Sequence, residues 1–213
     1  MTGEIVIVDL QISNLASVLQ ALQQIGAPSH VIATPESIRS ASAILLPGVG
    51  AFGDGMASLG QKQLIEPIRQ AASRGTPVFG ICLGMQLLAQ HSDEFGLHAG
   101  LGLLEGHVTR LKPNRADFRV PNIGWCDVTA TRESTLFPNA RAGCYYHVHS
   151  YHFVPQLKSV TTGTIDYSGT PHVVAVEAGN LFGVQFHPEK SQDDGLRVLA
   201  SFFSALPKMQ RPH

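Results

Sequence analysis

A chain of 213 residues, 44% of them hydrophobic and 15% charged, has the apolar content of one compact domain and a surface sparing of charge. A formal net charge of -1 supplies no attraction for nucleic acid, and no apolar run approaches the roughly 18 residues of a membrane span. Three cysteines, Cys82, Cys126 and Cys144, form no close pair, which argues against a disulfide framework or zinc ribbon and for a reducing cytoplasm; the acidic start MTGEIVIVDLQI does not have the shape of a signal peptide.

In chain order, EIVIVDL (4–10) reads as a buried strand. SNLASVLQALQQIG (13–26) reads as a helix with Leu15, Val18, Leu19, Leu22 and Ile25 on one face, capped by Ser13 or Asn14 and ended by Gly26. SHVIAT and ASAILLPGVG are two further strands. A helix around QLIEPIRQAASRG follows, in which Pro67 is expected to kink or delay the start. TPVFGIC is a strand and LGMQLLAQHSD a helix. Beyond about residue 105 the pattern turns β-rich: GHVTRL, GWCDVTA, CYYHVHSYHFV and TTGTIDYS, then a hairpin in HVVAVEAGNLFGVQF turned near Gly179-Asn180. A last helix, GLRVLASFFSAL, carries Leu196, Leu199, Phe202 and Phe203 toward a core. The expected fold is a single α/β domain over 1–213, flavodoxin-like, with a mostly parallel central sheet flanked by helices and a β-rich C-terminal half.

Gly80-Ile81-Cys82-Leu83-Gly84 has the form G-x-C-x-G at a strand end and a helix start, the setting of a nucleophile elbow. The turn lifts its central side chain above the carboxyl edge of the sheet, and free N–H groups of the new helix favour a thiolate. A buried structural thiol is the competing reading. In FGVQFHPEKS, Pro188 keeps His187 extended, so His187 and Glu189 at i and i+2 face the same way; they supply a base and its orienting carboxylate, against the alternative of a structural histidine. In LLPGVGAFGDGM, Gly48 and Gly50 flank Val49 after a strand. The Val49–Gly50 backbone can then join the N–H of Leu83 as an oxyanion hole, or form an ordinary βα turn; without G-K-[ST] or G-x-G-x-x-G it does not read as a phosphate loop.

Other residues carry weaker signals. His147 and His149 share a strand face, but no carboxylate or cysteine completes a metal-ligand spacing, and no metal is expected. Cys126 and Cys144 lack elbow glycines and read as semi-buried thiols. Trp125 is either core or a partner anchor. Arg110, Lys112 and Arg115 are a solvated face or a contact for a partner.

Together LPGVGAFGDGM, GICLGMQLL, VPNIGW, YYHVHSYHF and FGVQFHPEKS make the chain resemble, over nearly its full length, the triad-type glutamine amidotransferases, and among them the glutaminase subunits of imidazole glycerol phosphate synthases. The resemblance implies hydrolysis of glutamine to glutamate and ammonia without a cofactor, with Cys82 as nucleophile, His187 as base and acid and Glu189 as its orienter. It places glutamine against Gln86, Gly50 and the backbone near Ser150 and Tyr151. It implies a heterodimer with a (β/α)8-barrel cyclase, which receives the ammonia through a channel. Two departures fall on the side that faces the partner in the family. The Gly-rich turn after the first strand reads LQISN and keeps only Asn14, and the second asparagine of P-H-x-G-W-N is Cys126. The freedom of Gly48-Val49-Gly50 fits an oxyanion hole that is incomplete until the cyclase binds its ligand.

Overall fold

The computed structural model describes residues 5–10, 15–27, 29–31 and 34–209. The elements, in order, are β1 (Ile5–Ile7), α1 (Leu15–Gln24), β2 (His30–Val31), α2 (Pro35–Ser40), β3 (Ala43–Gly48), α3 (Phe52–Gln61), α4 (Ile65–Ser73), β4 (Val78–Cys82) and α5 (Leu83–Leu87). There follow β5 (Ala89–Ser92), β6 (His98–Ala99), β7 (Leu104–Arg110), β8 (Asn122–Ala130), β9 (Gly143–His149), β10 (Tyr151–Pro155), β11 (Thr161–Tyr167), β12 (Thr170–Ala178), β13 (Leu181–Val184) and α6 (Gln192–Met209).

Nine strands form one sheet in the order β2-β1-β3-β4-β13-β12-β11-β8-β9. The first five run parallel, as the alternating pattern predicts, and the β-rich half continues the same sheet in antiparallel pairings. Both faces of the parallel half are covered. Ile5, Ile7 and Leu45 pack with Val18 and Leu22 of α1 and Leu199 and Phe202 of α6. Val6, Ile44 and Leu46 pack on the opposite face with Ile38, Phe52, Ile68 and Met85 from α2 to α5. This is why β1 and β3 read as continuous apolar runs rather than alternating ones. Phe202 is fully buried between the rings of Phe79 and Phe182, so its truncation to alanine would cost about 3–5 kcal/mol. Four short strands, β10-β7-β5-β6, make a second sheet.

The structure alters the expected pattern in four places. First, α2 and α3 are additional to the expected elements: α2 is a short helix held by a Thr34–Ser37 capping box, and three glycines lower the helix propensity of α3. Second, α4 begins at Ile65, so Pro67 lies in its first turn, where its missing N–H is not needed, and neither kinks nor delays the helix. Third, the helix expected over LGMQLLAQHSD stops at Leu87. The carbonyls of Leu87, Leu88 and Ala89 accept from Leu101, Leu103, Leu104 and Gly102 instead of from a further helical turn, and the chain passes into β5. Fourth, CYYHVHSYHFV breaks at Ser150 into β9 and β10, which belong to different sheets. The cap at Ser13 or Asn14 lies outside the described residues.

Candidate active site

Cys82 is the last residue of β4, and α5 begins at Leu83. Its backbone stands at φ 53° and ψ -109°, a conformation that a side-chain-bearing residue adopts only under constraint. The constraint is packing. A Cβ on Gly84 would lie 1.6 Å from the carbonyl oxygen of Leu46, and one on Gly80 would lie 2.5 Å from the backbone of Gly84. Only glycine fits at either position. The β3–β4 register sets Gly48 directly beside Cys82, so Val49 and Gly50 emerge next to the thiol, Gly50 at φ +96°.

His187 lies three residues beyond the end of β13 with extended backbone, and its N–H donates to the carbonyl of Tyr146 at 2.9 Å. Its Nδ1 meets Glu189 Oε1 at 2.7 Å, and both side chains are buried. The expected neighbours are therefore together, but by another route. Pro188–Lys190 forms a 3-10 turn, and the turn brings Glu189 to the ring where strand alternation was expected to do so. A carboxylate accepts, so Nδ1 carries the proton and Nε2 is left toward Cys82, buried and without a hydrogen bond of its own. Burial opposes charge on this imidazole. The nearby Cys82 sulfur and the Glu189 carboxylate outweigh it and push the histidine up to about 10. By contrast, burial pushes the thiols of Cys126 and Cys144 up, away from the reactive form.

A cleft of about 350 Å³ opens over Cys82. The structure brings to its wall Val49, Gly50, Leu83, Gln86, Ser150 and Tyr151, together with Pro121, Val148 and His149 and with Glu94, which the sequence did not single out. The Gln86 side chain is buried, and its Nε2 donates to Tyr151 O and to Gln185 Oε1, both at 3.0 Å. Gln185 in turn points Nε2 at Cys82 Sγ, 3.6 Å away. Its place two residues before His187 was the available signal for it. Glu94 accepts from the N–H of Phe52 at 2.7 Å, and burial raises its carboxyl. In SDEF it has the look of a solvated acidic run, so the sequence carried no signal for it.

His147 Nδ1 and both ring nitrogens of His149 are engaged with each other and the backbone, while His147 Nε2 is buried without a hydrogen bond. His149 Nδ1 donates to Tyr151 O at 2.9 Å, and His149 Nε2 lies 3.2 Å from His147 Nδ1. Burial holds His147 well below the usual histidine range and His149 down to about 4, so both stay neutral. Trp125 is not part of the cleft. It is half-exposed on β8 against Tyr146, with Ile123 exposed on the same strand. Asn14 lies outside the described residues. Arg110, Lys112 and Arg115 are exposed, and Arg115 pairs with Asp117 at 2.7 Å.

A parallel sheet that presents a thiol on a glycine-flanked elbow, with a carboxylate-oriented histidine leaving the adjacent strand, is built for acyl transfer through a covalent thioester. The family model for class-I glutamine amidotransferases matches residues 6–206, and the chain belongs to that family. Its sequence is 49% identical over 199 residues to the imidazole glycerol phosphate synthase subunit HisH of Moorella thermoacetica, covering 93% of each chain. It is 44% identical to the HisH subunit of Wolinella succinogenes, covering 92% of this chain and 97% of that relative. The solved structure of PurLQS from Thermotoga maritima superposes with a TM-score of 0.75 over 97% of this chain and 100% of that one; at 23% identity this likeness is one of fold. Among the described residues, no helix is long and apolar enough to cross a membrane.

Proposed function

We propose that this chain, taken as one amidotransferase unit over residues 1–213, is the glutaminase subunit of an imidazole glycerol phosphate synthase in histidine biosynthesis. One observation carries the chemistry: a cysteine held at positive φ in the lining of a cleft, next to a histidine raised by that sulfur and by a buried glutamate. The Cys82 thiolate attacks the side-chain carbonyl of glutamine. The resulting oxyanion takes N–H groups from Leu83 and the Val49–Gly50 segment. His187, an imidazolium, gives its proton to the amide nitrogen; the C–N bond breaks and ammonia leaves, with a glutamyl thioester on Cys82. Water then attacks with His187 as base, releasing glutamate and restoring the thiolate–imidazolium pair. The buried Glu94 carboxylate suits the substrate's α-ammonium, while Gly50, Gln86 and the Ser150–Tyr151 backbone line the rest of the chain.

The ammonia is consumed by a (β/α)8-barrel cyclase bound as the other half of a heterodimer in the cytoplasm. Free ammonia in neutral water becomes mostly ammonium, which is no nucleophile, so a closed route between the two subunits is required. The exposed Ile123 and Trp125 on β8 support a partner surface there, and Asn14 is assigned to it from the family resemblance. The test is glutamate release from glutamine by the purified chain, alone and then with the cyclase and its nucleotide ligand. The expected outcome is a large rise in kcat when the nucleotide site is filled; full activity without a partner would make the chain an independent hydrolase.

A further inference from the structure

Gln185 takes no part in the chemistry above, yet its carboxamide is fully buried and touches the nucleophilic sulfur. Buried amides persist when their donors and acceptors are matched, and here the matching fixes a direction. Tyr151 O is a carbonyl and can only accept. The group of Gln86 that reaches it is therefore the NH2, and the same nitrogen gives its second proton to Gln185 Oε1. With Oε1 so engaged, Gln185 turns Nε2 to Cys82 Sγ. A single backbone carbonyl thus orients two amides, and the sulfur receives a donor.

We propose that Gln185 is a further residue of the active centre: its Nε2–H holds the Cys82 sulfur as thiolate, and Gln86 orients it. The proposal rests on the reading of Cys82 as nucleophile. An N–H donor is worth more to a thiolate than to a thiol, so it favours the charged form. The charged and titratable groups around the sulfur are His187, with Glu189 behind it, and Glu94 and His149 on the cleft wall. Gln185 is the uncharged neighbour among them, so Gln185→Leu removes the hydrogen bond and leaves every charge in place. The Tyr151 end of the relay lies in the cleft wall, which ties the backbone beside the substrate to the sulfur through two side chains.

The test is the pH profile of Cys82 alkylation by iodoacetamide without glutamine, read at the Cys82 peptide by mass spectrometry in the full chain. Gln185→Leu should move the midpoint up by about one pH unit, making alkylation about tenfold slower below it. Gln86→Leu should move it the same way by less. The double variant should move no further than Gln185→Leu, because the two groups act in series. Gln185→Asn, which keeps the amide on a shorter arm, should recover part of the shift. Circular dichroism establishes folding; if Gln185→Leu does not fold, the Gln86→Leu profile decides. An unmoved midpoint in the deciding variant, with Cys82→Ala inactive, overturns this proposal alone. Glutamine turnover surviving in Cys82→Ala overturns the nucleophile reading and this proposal with it.

Discussion

The two halves of the proposed catalytic pair are built by different means. Cys82 is delivered by backbone: a positive φ, a strand ending in register with β3, and two glycines that no other residue can replace. His187 is delivered by hydrogen bonds: its N–H to Tyr146, its ring to Glu189, and Ser191 Oγ donating to its carbonyl at 2.6 Å. A nucleophile placed by sterics is rigid and tolerates no substitution of its supports. A base placed by polar contacts is adjustable, and its charge depends on the partners it keeps.

Substitutions on each side test that division. Cys82→Ala removes the attacking atom and should lower turnover about a thousandfold or more with the melting curve intact; substantial turnover would end the assignment. Glu189→Gln should lower kcat about a hundredfold and bring the His187 titration, followed by NMR, down from about 10. The sign for stability follows. The raised His187 contributes fully below pH 6.5 and loses its share as pH rises through about 10, so Glu189→Gln should show a flatter alkaline melting profile. On the steric side, Gly84→Ala should cost about 3 kcal/mol or more, or prevent folding, because nothing can yield at Leu46 O. Gly179→Ala is the contrast: it meets no atom within 4 Å, and its φ of +59° alone should cost about 1 kcal/mol. A Gly84 variant as mild as Gly179→Ala would show that the elbow is not sterically locked.

The histidines on β9 and β10 give a pH test of the polar side. Burial holds His149 down to about 4 and His152 down to about 3. Both are neutral in the fold and protonate more readily unfolded, so their contribution is whole above pH 6.5 and fades as pH falls toward those values. The melting temperature should drop between pH 6.5 and 4. His152→Phe should flatten that drop, while an unchanged slope would place the acid sensitivity elsewhere.

The same division explains what could be read from sequence. Elbow glycines and the H-P-E run are legible because the residues of each motif are adjacent in sequence, even though the atom that bars a side chain on Gly84 is the distant Leu46 O. The parallel half of the sheet was equally plain, since both faces of β1 and β3 are apolar. Glu94 is hidden and Gln185 is marked only by its nearness to His187, because each acquires its meaning from a partner far along the chain: Phe52 for the first, Gln86 and Cys82 for the second. The early end of α5 at Leu87 is hidden from the sequence for a related reason. Its carbonyls are claimed by the segment around Leu101–Leu104, a competition that helical periodicity does not register.

Trp125 is the only tryptophan in the chain. It pairs in register with Tyr146, whose carbonyl accepts the N–H of His187. The protein therefore carries one indole fluorophore, half in water, a single rung from the strand whose backbone holds His187. Its emission spectrum should shift to the blue when a partner covers β8, and energy transfer from tyrosine, to which the Tyr146 ring 6.1 Å away contributes, offers a second optical readout of the same contact. Docking can be followed by light alone, without a label and before any glutamine has been turned over.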